Sequence, residues 1–237
     1  MAIAEPKMPP QILYKYFPPE RVDVVENQQI RFSPPSEFND AFDTFHALSG
    51  AGGRRAKLDR KRLRAHLGVF CLSEKSNNHL MWVNYAERHT GFVVGFSGPA
   101  PFFTSDNRKI RKVEYQENPP KYDDADEEAC FYKSPTWAYE EEWRCVKRFT
   151  PGESRIVSFD WPIIKEVIFG HLTASWVIAR IVNAVETYSE TLEVKPRFLF
   201  CEPTHAKWTL INHERVYKSC KHCRGEGYTW NNCGDGS

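Results

Sequence analysis

Short apolar runs, broken by prolines, glycines and polar turns, dominate the chain and predict more strand than helix. ILYKYF (12–17) is β-prone, and Pro18 with Pro19 ends it. RVDVVENQ (21–28) reads as a short helix, and QIRFSPPSEFND (29–40) as a strand followed by a turn at the double proline and Asn39-Asp40. GVFCLSE (68–74), FVVGFS (92–97), KIRKVEYQ (109–116), KEVIFG (165–170) and VKPRFLFCEP (194–203) are each predicted as strands. EWRCVKRF (142–149) and SRIVSFD (154–160) are predicted as a strand pair joined through Pro151-Gly152. Helical spacing appears in two places. Leu80 or Met81, Trp82, Tyr85, Ala86 and His89 share it, with Gly91 as a stop. In 172–189 it links Val177, Ile178, Ile181, Val182 and Val185, with Thr173 as a cap. GAGG (50–53) leads into a basic segment predicted as a helix through Leu67, and the acidic stretch 117–128 reads as a loop or a helix start. No internal repeat is present. Strands with irregularly interspersed helices predict the α+β class: a central, mostly antiparallel sheet with a few packed helices. The expected organisation is a flexible lead (1–11), a single domain (12–203) and a polar, cysteine-containing tail (204–237).

Composition adds a sizeable core, because 14% of the 237 residues are aromatic, including 7 Trp and 16 Phe. The net charge of +1 selects no partner, but its distribution is uneven. Residues 54–66 hold Arg54, Arg55, Lys57, Arg60, Lys61, Arg62 and Arg64 against Asp59 alone, and DDADEE (123–128) is almost wholly acidic. A basic run of this kind can contact the phosphates of a nucleic acid; it also suits a solvated helix face or a partner for the acidic run. No stretch is long and apolar enough to span a membrane, and MAIAEPKMPP lacks the apolar core of a signal peptide, so a cytoplasmic location is expected. Seven irregularly spaced cysteines argue against a disulfide framework. P-loop, G-x-G-x-x-G and G-x-S-x-G fingerprints are absent, which removes the common nucleotide-binding and hydrolase classes.

Candidate chemistry centres on WAYEEEWR (137–144). Strand alternation would put Glu140, Glu142 and Arg144 on one face and Glu141 with Trp143 on the other. A helix start would instead stack Tyr139 on Trp143 and set the glutamates in the first turn. Either arrangement sets carboxylates beside large aromatics, which can shift a carboxyl pKa; the plainer expectation is a surface strand whose glutamates pair with Arg144 and a nearby lysine. Asp40 and Asp43 follow the 29–40 turn and, with Glu140 and Glu142, could hold Mg²⁺ for phosphodiester cleavage, although such residues are also simple turn formers. His79 and His89 flank the MWVNYA helix as capping or core residues, or as catalysts. In the tail, CKHCRGEG (220–227) has the form C-x-x-C-x-G-x-G, which suits tetrahedral zinc and resembles one copy of the cysteine-rich repeat of DnaJ-type chaperones over eight residues. Cys220, Cys223 and Cys233 would supply three ligands, and His205 the fourth, with His213, His222 and Cys201 as the other choices.

Taken in order, LYKYF (13–17), IRFSPPSEFNDAFD (30–43), FCLSE (70–74), LMWVNYAERHTGFVVGF (80–96), VEY (113–115) and WAYEEEWR resemble the bacterial domain-of-unknown-function family 2971, over roughly residues 12–170. The family pattern FNDPFE stands here as FNDAFD, with Ala41 for proline and Asp43 for glutamate. The resemblance implies surroundings of phage defence and mobile elements but carries no settled activity. By order and chemistry the chain is similar to ADP-ribosyltransferases. These use a polar aromatic or basic residue on an early strand, a central Ser or Tyr and a late glutamate that contacts the ribose of NAD. Tyr14, Tyr85, Glu140 and Glu142 are the expected catalytic residues, and Lys15, Ser73, Trp82 and Arg144 the expected NAD-binding ones. Nucleic acid is the expected target, through residues 54–66. The alternatives are a metal-dependent nuclease and a non-catalytic sensor or interaction domain.

Overall fold

Pro18 and Pro19 cannot donate to a ladder, so β1 (Ile12–Phe17) ends at them and a 3₁₀ turn over Pro19–Val22 follows. Helix α1 (Asp23–Glu26) and strand β2 (Gln29–Arg31) come next. The remaining elements are β3 (Leu67–Ser73), α2 (His79–Tyr85), β4 (Phe92–Ser97), α3 (Pro101–Thr104), β5 (Arg108–Lys112), β6 (Glu114–Tyr115) and β7 (Tyr132–Lys133). They are followed by β8 (Glu142–Arg148), β9 (Ile156–Ser158), β10 (Ile164–Gly170), α4 (Ser175–Ser189), β11 (Arg197–Pro203) and β12 (Leu210–Glu214). This computed structural model describes residues 8–40, 42–43, 66–105, 107–118, 127–189 and 194–214. The predicted basic helix up to residue 65, the acidic residues 119–126 and the cysteine tail lie outside the described residues.

Eight strands share a mostly antiparallel sheet in the order β12-β11-β10-β4-β1-β3-β8-β5, and β10 with β11 is a parallel pair. The class is α+β, as the strand-rich pattern predicts. No helix among the described residues is long and apolar enough to cross a membrane.

The chain divides into two compact units. The first comprises Met1–Leu13, Gln29–Lys75 and Ser97–Phe159. In it β8 is flanked by β3 and β5, with Cys71 opposite Arg144, Ser73 opposite Glu142 and Arg111 opposite Arg144. Leu67, Val69, Cys130, Phe131 and Val146 form an apolar cluster against which Phe38, Cys71 and Tyr132 pack. Each fully buried side chain of this size adds about 1.5–3 kcal/mol. Because β8 already has a neighbour on both sides, SRIVSFD cannot pair with it as expected; β9 pairs with β2 instead, Ile30 opposite Val157. KIRKVEYQ is likewise not one strand. It breaks at Val113, whose N–H donates to Glu142 O at 2.8 Å.

The second unit comprises Tyr14–Gln28, Ser76–Phe96 and Asp160–Ser237. β4, β10, β11 and β12 are its strands, and α4 buries Val177, Ile178, Ile181, Val182 and Val185, the spacing read from sequence. Thr173 is not its cap: the hydroxyl donates to Gly91 O at 2.6 Å. Asn78 caps α2, its side-chain oxygen accepting from Leu80 N at 2.9 Å and Met81 N at 3.3 Å. A polar tail expected from 204 instead contains β12, which pairs with β11.

Candidate functional site

The WAYEEEWR stretch is neither a strand throughout nor a helix start. Pro135 opens a 3₁₀ turn that runs to Glu140; Glu141 takes a left-handed conformation (φ 44°), and β8 begins at Glu142. The reversal turns Glu140 and Glu142 inward, 3% and 4% exposed, and leaves the Glu141 side chain 35% exposed. Backbone contacts fix the bend. Ser73 Oγ donates to Glu140 O at 2.7 Å, Glu74 N to Glu141 O at 3.1 Å, and Glu142 N to Tyr115 Oη at 2.9 Å.

Inside the bend lies a buried ion network. Arg144 reaches both oxygens of Glu142 (2.8 and 2.9 Å), both oxygens of Asp43 (2.8 and 2.5 Å) and the Cys130 carbonyl (2.7 Å). Lys133 Nζ lies 2.5 Å from Glu140 Oε2, 3.2 Å from Glu142 Oε2 and 3.9 Å from Asp43 Oδ2. Phe38 faces the guanidinium at 5.1 Å and Trp137 the ammonium at 4.8 Å. Burial alone would raise the Glu142 pKa, but Arg144 and Lys133 outweigh it and hold the carboxyl far below its usual range. Burial alone would lower that of Lys133, and Glu142 with Glu140 reverses the sign. The sequence pairing of these glutamates with Arg144 and a lysine therefore holds, but in the interior and not on a surface strand. Asp43 joins Glu140 and Glu142, whereas Asp40 stands apart: its Oδ1 accepts from Phe42 N at 2.9 Å, and its buried Oδ2 has no partner among the described residues.

The outer side of the bend is a second, accessible carboxyl pair that the sequence reading missed. Glu74 Oε1 accepts from Lys112 Nζ and from the Trp143 indole N–H, each at 2.7 Å. Lys75 Nζ lies 3.0 Å from Glu141 Oε1. The Glu141 side chain also meets that of Glu74. Burial pushes Glu74 up, but Lys112 and Trp143, with a contribution from Glu141, hold it below the usual carboxylate range. The available signal was the middle glutamate of the EEE run, set by alternation on the Trp143 face.

Other expected residues fall elsewhere. Ser73 is in this unit, but its hydroxyl is engaged by Glu140 O and by Lys75 N at 3.0 Å. Tyr14, Lys15, Trp82 and Tyr85 belong to the second unit. Tyr14 is pushed up to about 12 by burial and by Glu166, and it bonds to Glu166 and Ser76. Trp82 Nε1 donates to Ser76 O at 2.9 Å, and the Tyr16 ring stands edge-on at 5.5 Å. Tyr85 and Lys15 are half-buried. His205 is exposed between β11 and β12, Cys201 is buried, and Cys220, Cys223 and Cys233 lie outside the described residues. Among the described residues no group of three or more His, Cys, Asp or Glu side chains is arranged to hold a metal ion, and Cys71, Cys130, Cys145 and Cys201 are not in disulfides.

No curated protein and no solved structure matches the chain. Residues 81–145, which take in most of helix α2, the strand β4 and the whole WAYEEEWR bend, match the family described as "Protein of unknown function (DUF2971)", the family that the ordered motifs resemble.

Proposed function

We propose that this chain is an ADP-ribosyltransferase-like enzyme that consumes NAD, and that Glu141 is the glutamate that meets the ribose. The observation that carries the reading is the bend itself. Two buried, ion-paired glutamates hold a half-exposed third in a left-handed conformation beside Glu74. Glu140 and Glu142 are sealed behind Arg144 and Lys133, so they act as positioning residues. The Glu141 carboxylate, 3.0 Å from Lys75 Nζ and beside Glu74, suits an oxocarbenium-like ribose and can take a proton. In the transfer, the bond from ribose C1′ to the nicotinamide nitrogen breaks and its electron pair leaves with nicotinamide. The acceptor's oxygen or nitrogen then bonds to C1′, and its proton passes to the carboxylate. Nucleic acid is the proposed acceptor, on the strength of the basic run at 54–66.

Incubation with NAD and either DNA or RNA should release nicotinamide and add an ADP-ribose mass to one of them. Glu141→Gln should lower the rate at least about a hundredfold, as expected when a charge-stabilising group is lost, and leave the fold intact. Absence of nicotinamide release, or full activity in Glu141→Gln, overturns the reading.

A further inference from the structure

Residues Glu87, Arg88 and His89 adopt left-handed φ angles of 44°, 54° and 72° in succession. L-residues visit this region singly and mostly at glycine, so three in a row without one is a strained arrangement that its surroundings must hold. The holding contacts are specific. Gly91 N donates to Ala86 O at 3.0 Å, Thr90 Oγ1 to Glu87 O at 2.7 Å, and Leu172 N to His89 O at 3.2 Å. A Cβ at Gly170 would sit 2.2 Å from His89 O, so glycine is required there for the turn to seat.

The side chain at the end of the turn is also constrained. His89 is 5% exposed and its ring lies parallel to Trp82, 5.5 Å between centroids. His79, from α2, stacks at 5.3 Å, and His171, after β10, lies at 4.7 Å. His89 Nε2 and His79 Nδ1 are 3.3 Å apart, a hydrogen bond that needs a lone pair on one of them. His89 Nδ1 is buried with no partner among the described residues. The charged groups on the turn itself, Glu87 and Arg88, are exposed. Cys201, from β11, reaches the Trp82 side chain. Among the described residues the titratable rings packed on His89 are His79 and His171, so a second proton on it would face imidazoles.

The geometry points to an acid-triggered latch: protonation of His89 releases the left-handed turn and bares the Trp82 indole. Burial first, then His171 and His79, pulls the closed-state pKa of His89 down to about 4. An open turn returns it towards the ordinary value of about 6.5. Below pH 6.5 the open state therefore takes up a proton that the closed state refuses until about pH 4, and opening grows as pH falls through that window.

Native-state hydrogen exchange, corrected for the intrinsic pH dependence, tests this on the intact chain. Between pH 7.5 and 5.0 the opening constants at the Gly91 and Leu172 amides should rise at least about tenfold, and should exceed those at Val93 and Val94 in β4 throughout. His89→Asn, which tolerates the left-handed backbone, should abolish the rise. In the unsubstituted protein the His89 ring should titrate below pH 5 by NMR. Opening that is independent of pH, Gly91 and Leu172 amides that open only together with Val93 and Val94, or a His89 ring that titrates near 6.5 with the turn closed overturns the latch.

Discussion

Arg144 fixes the geometry of the bend, since it holds both carboxyl oxygens of Asp43 and both of Glu142. Breaking a buried pair by removing one partner leaves an uncompensated charge and costs about 3–5 kcal/mol. Arg144→Met should therefore lose at least that much in urea unfolding, whereas Arg144→Met with Asp43→Asn should lose less than the sum of the two single changes. Glu141 predicts the opposite sign. Its backbone is strained, and Glu141→Gly should relieve about 1 kcal/mol or so while removing the carboxyl on which the proposed transfer depends. A variant that is more stable and inactive is the expected result; one that is less stable shows the conformation to be unstrained. Part of this was legible in sequence. Alternation selects Glu142 and Arg144 because both lie in β8. It fails at Glu140 and Glu141 because a left-handed residue resets the alternation, and no pattern of apolar and polar residues marks a positive φ. Lys133 could be named only as "a lysine", and Asp43 was grouped with Glu140 and Glu142 as a Mg²⁺ ligand or a turn residue, not as the partner of Arg144.

At the scale of elements, periodicity located the buried strands β3, β4, β10 and β11 and the amphipathic α4, since in each of them the face towards the core is set by local spacing. Pairing was less legible. β9 follows β8 closely, which suggested a hairpin, yet the hydrogen-bonding edges of β8 are filled by β3 and β5. β12 was missed because LINHE has polar residues where a strand usually shows apolar ones, although Leu210 is buried and Asn212 donates to Ser76 Oγ at 2.8 Å. The turn after α2 was read as an ordinary glycine stop. Its cost is carried by the three residues before that glycine, so Arg88→Gly should raise stability by about 1 kcal/mol or more, against the usual loss for glycine substitutions. Gly170→Ala should do the reverse, because its methyl group would meet His89 O; chemical denaturation of the two variants side by side is the measurement.

Across the whole chain, these buried groups make the protein acid-labile in two separate windows. His89 binds its proton more weakly when folded, with a pKa near 4 against about 6.5 unfolded. The unfolded chain therefore holds more protons between those values, so stability is fully present above about pH 6.5 and falls as pH drops towards 4, by up to about 3 kcal/mol for the shift concerned. The carboxylates act lower down. Glu142 and Glu74 are held below their unfolded range, the first by Arg144 and Lys133 and the second by Lys112, Trp143 and Glu141. What they add is present above about pH 4.5 and disappears as pH falls through their folded values. A plot of unfolding free energy against pH should accordingly slope gently from 6.5 to 4 and steeply below. His89→Asn should flatten the upper limb and leave the lower one unchanged, and Glu142→Gln should lower stability throughout and shrink the lower limb. A single acid transition below pH 4.5 in the unsubstituted protein would mean that His89 titrates as it does in the unfolded chain, and the stacked, strained turn would then carry no linkage to pH.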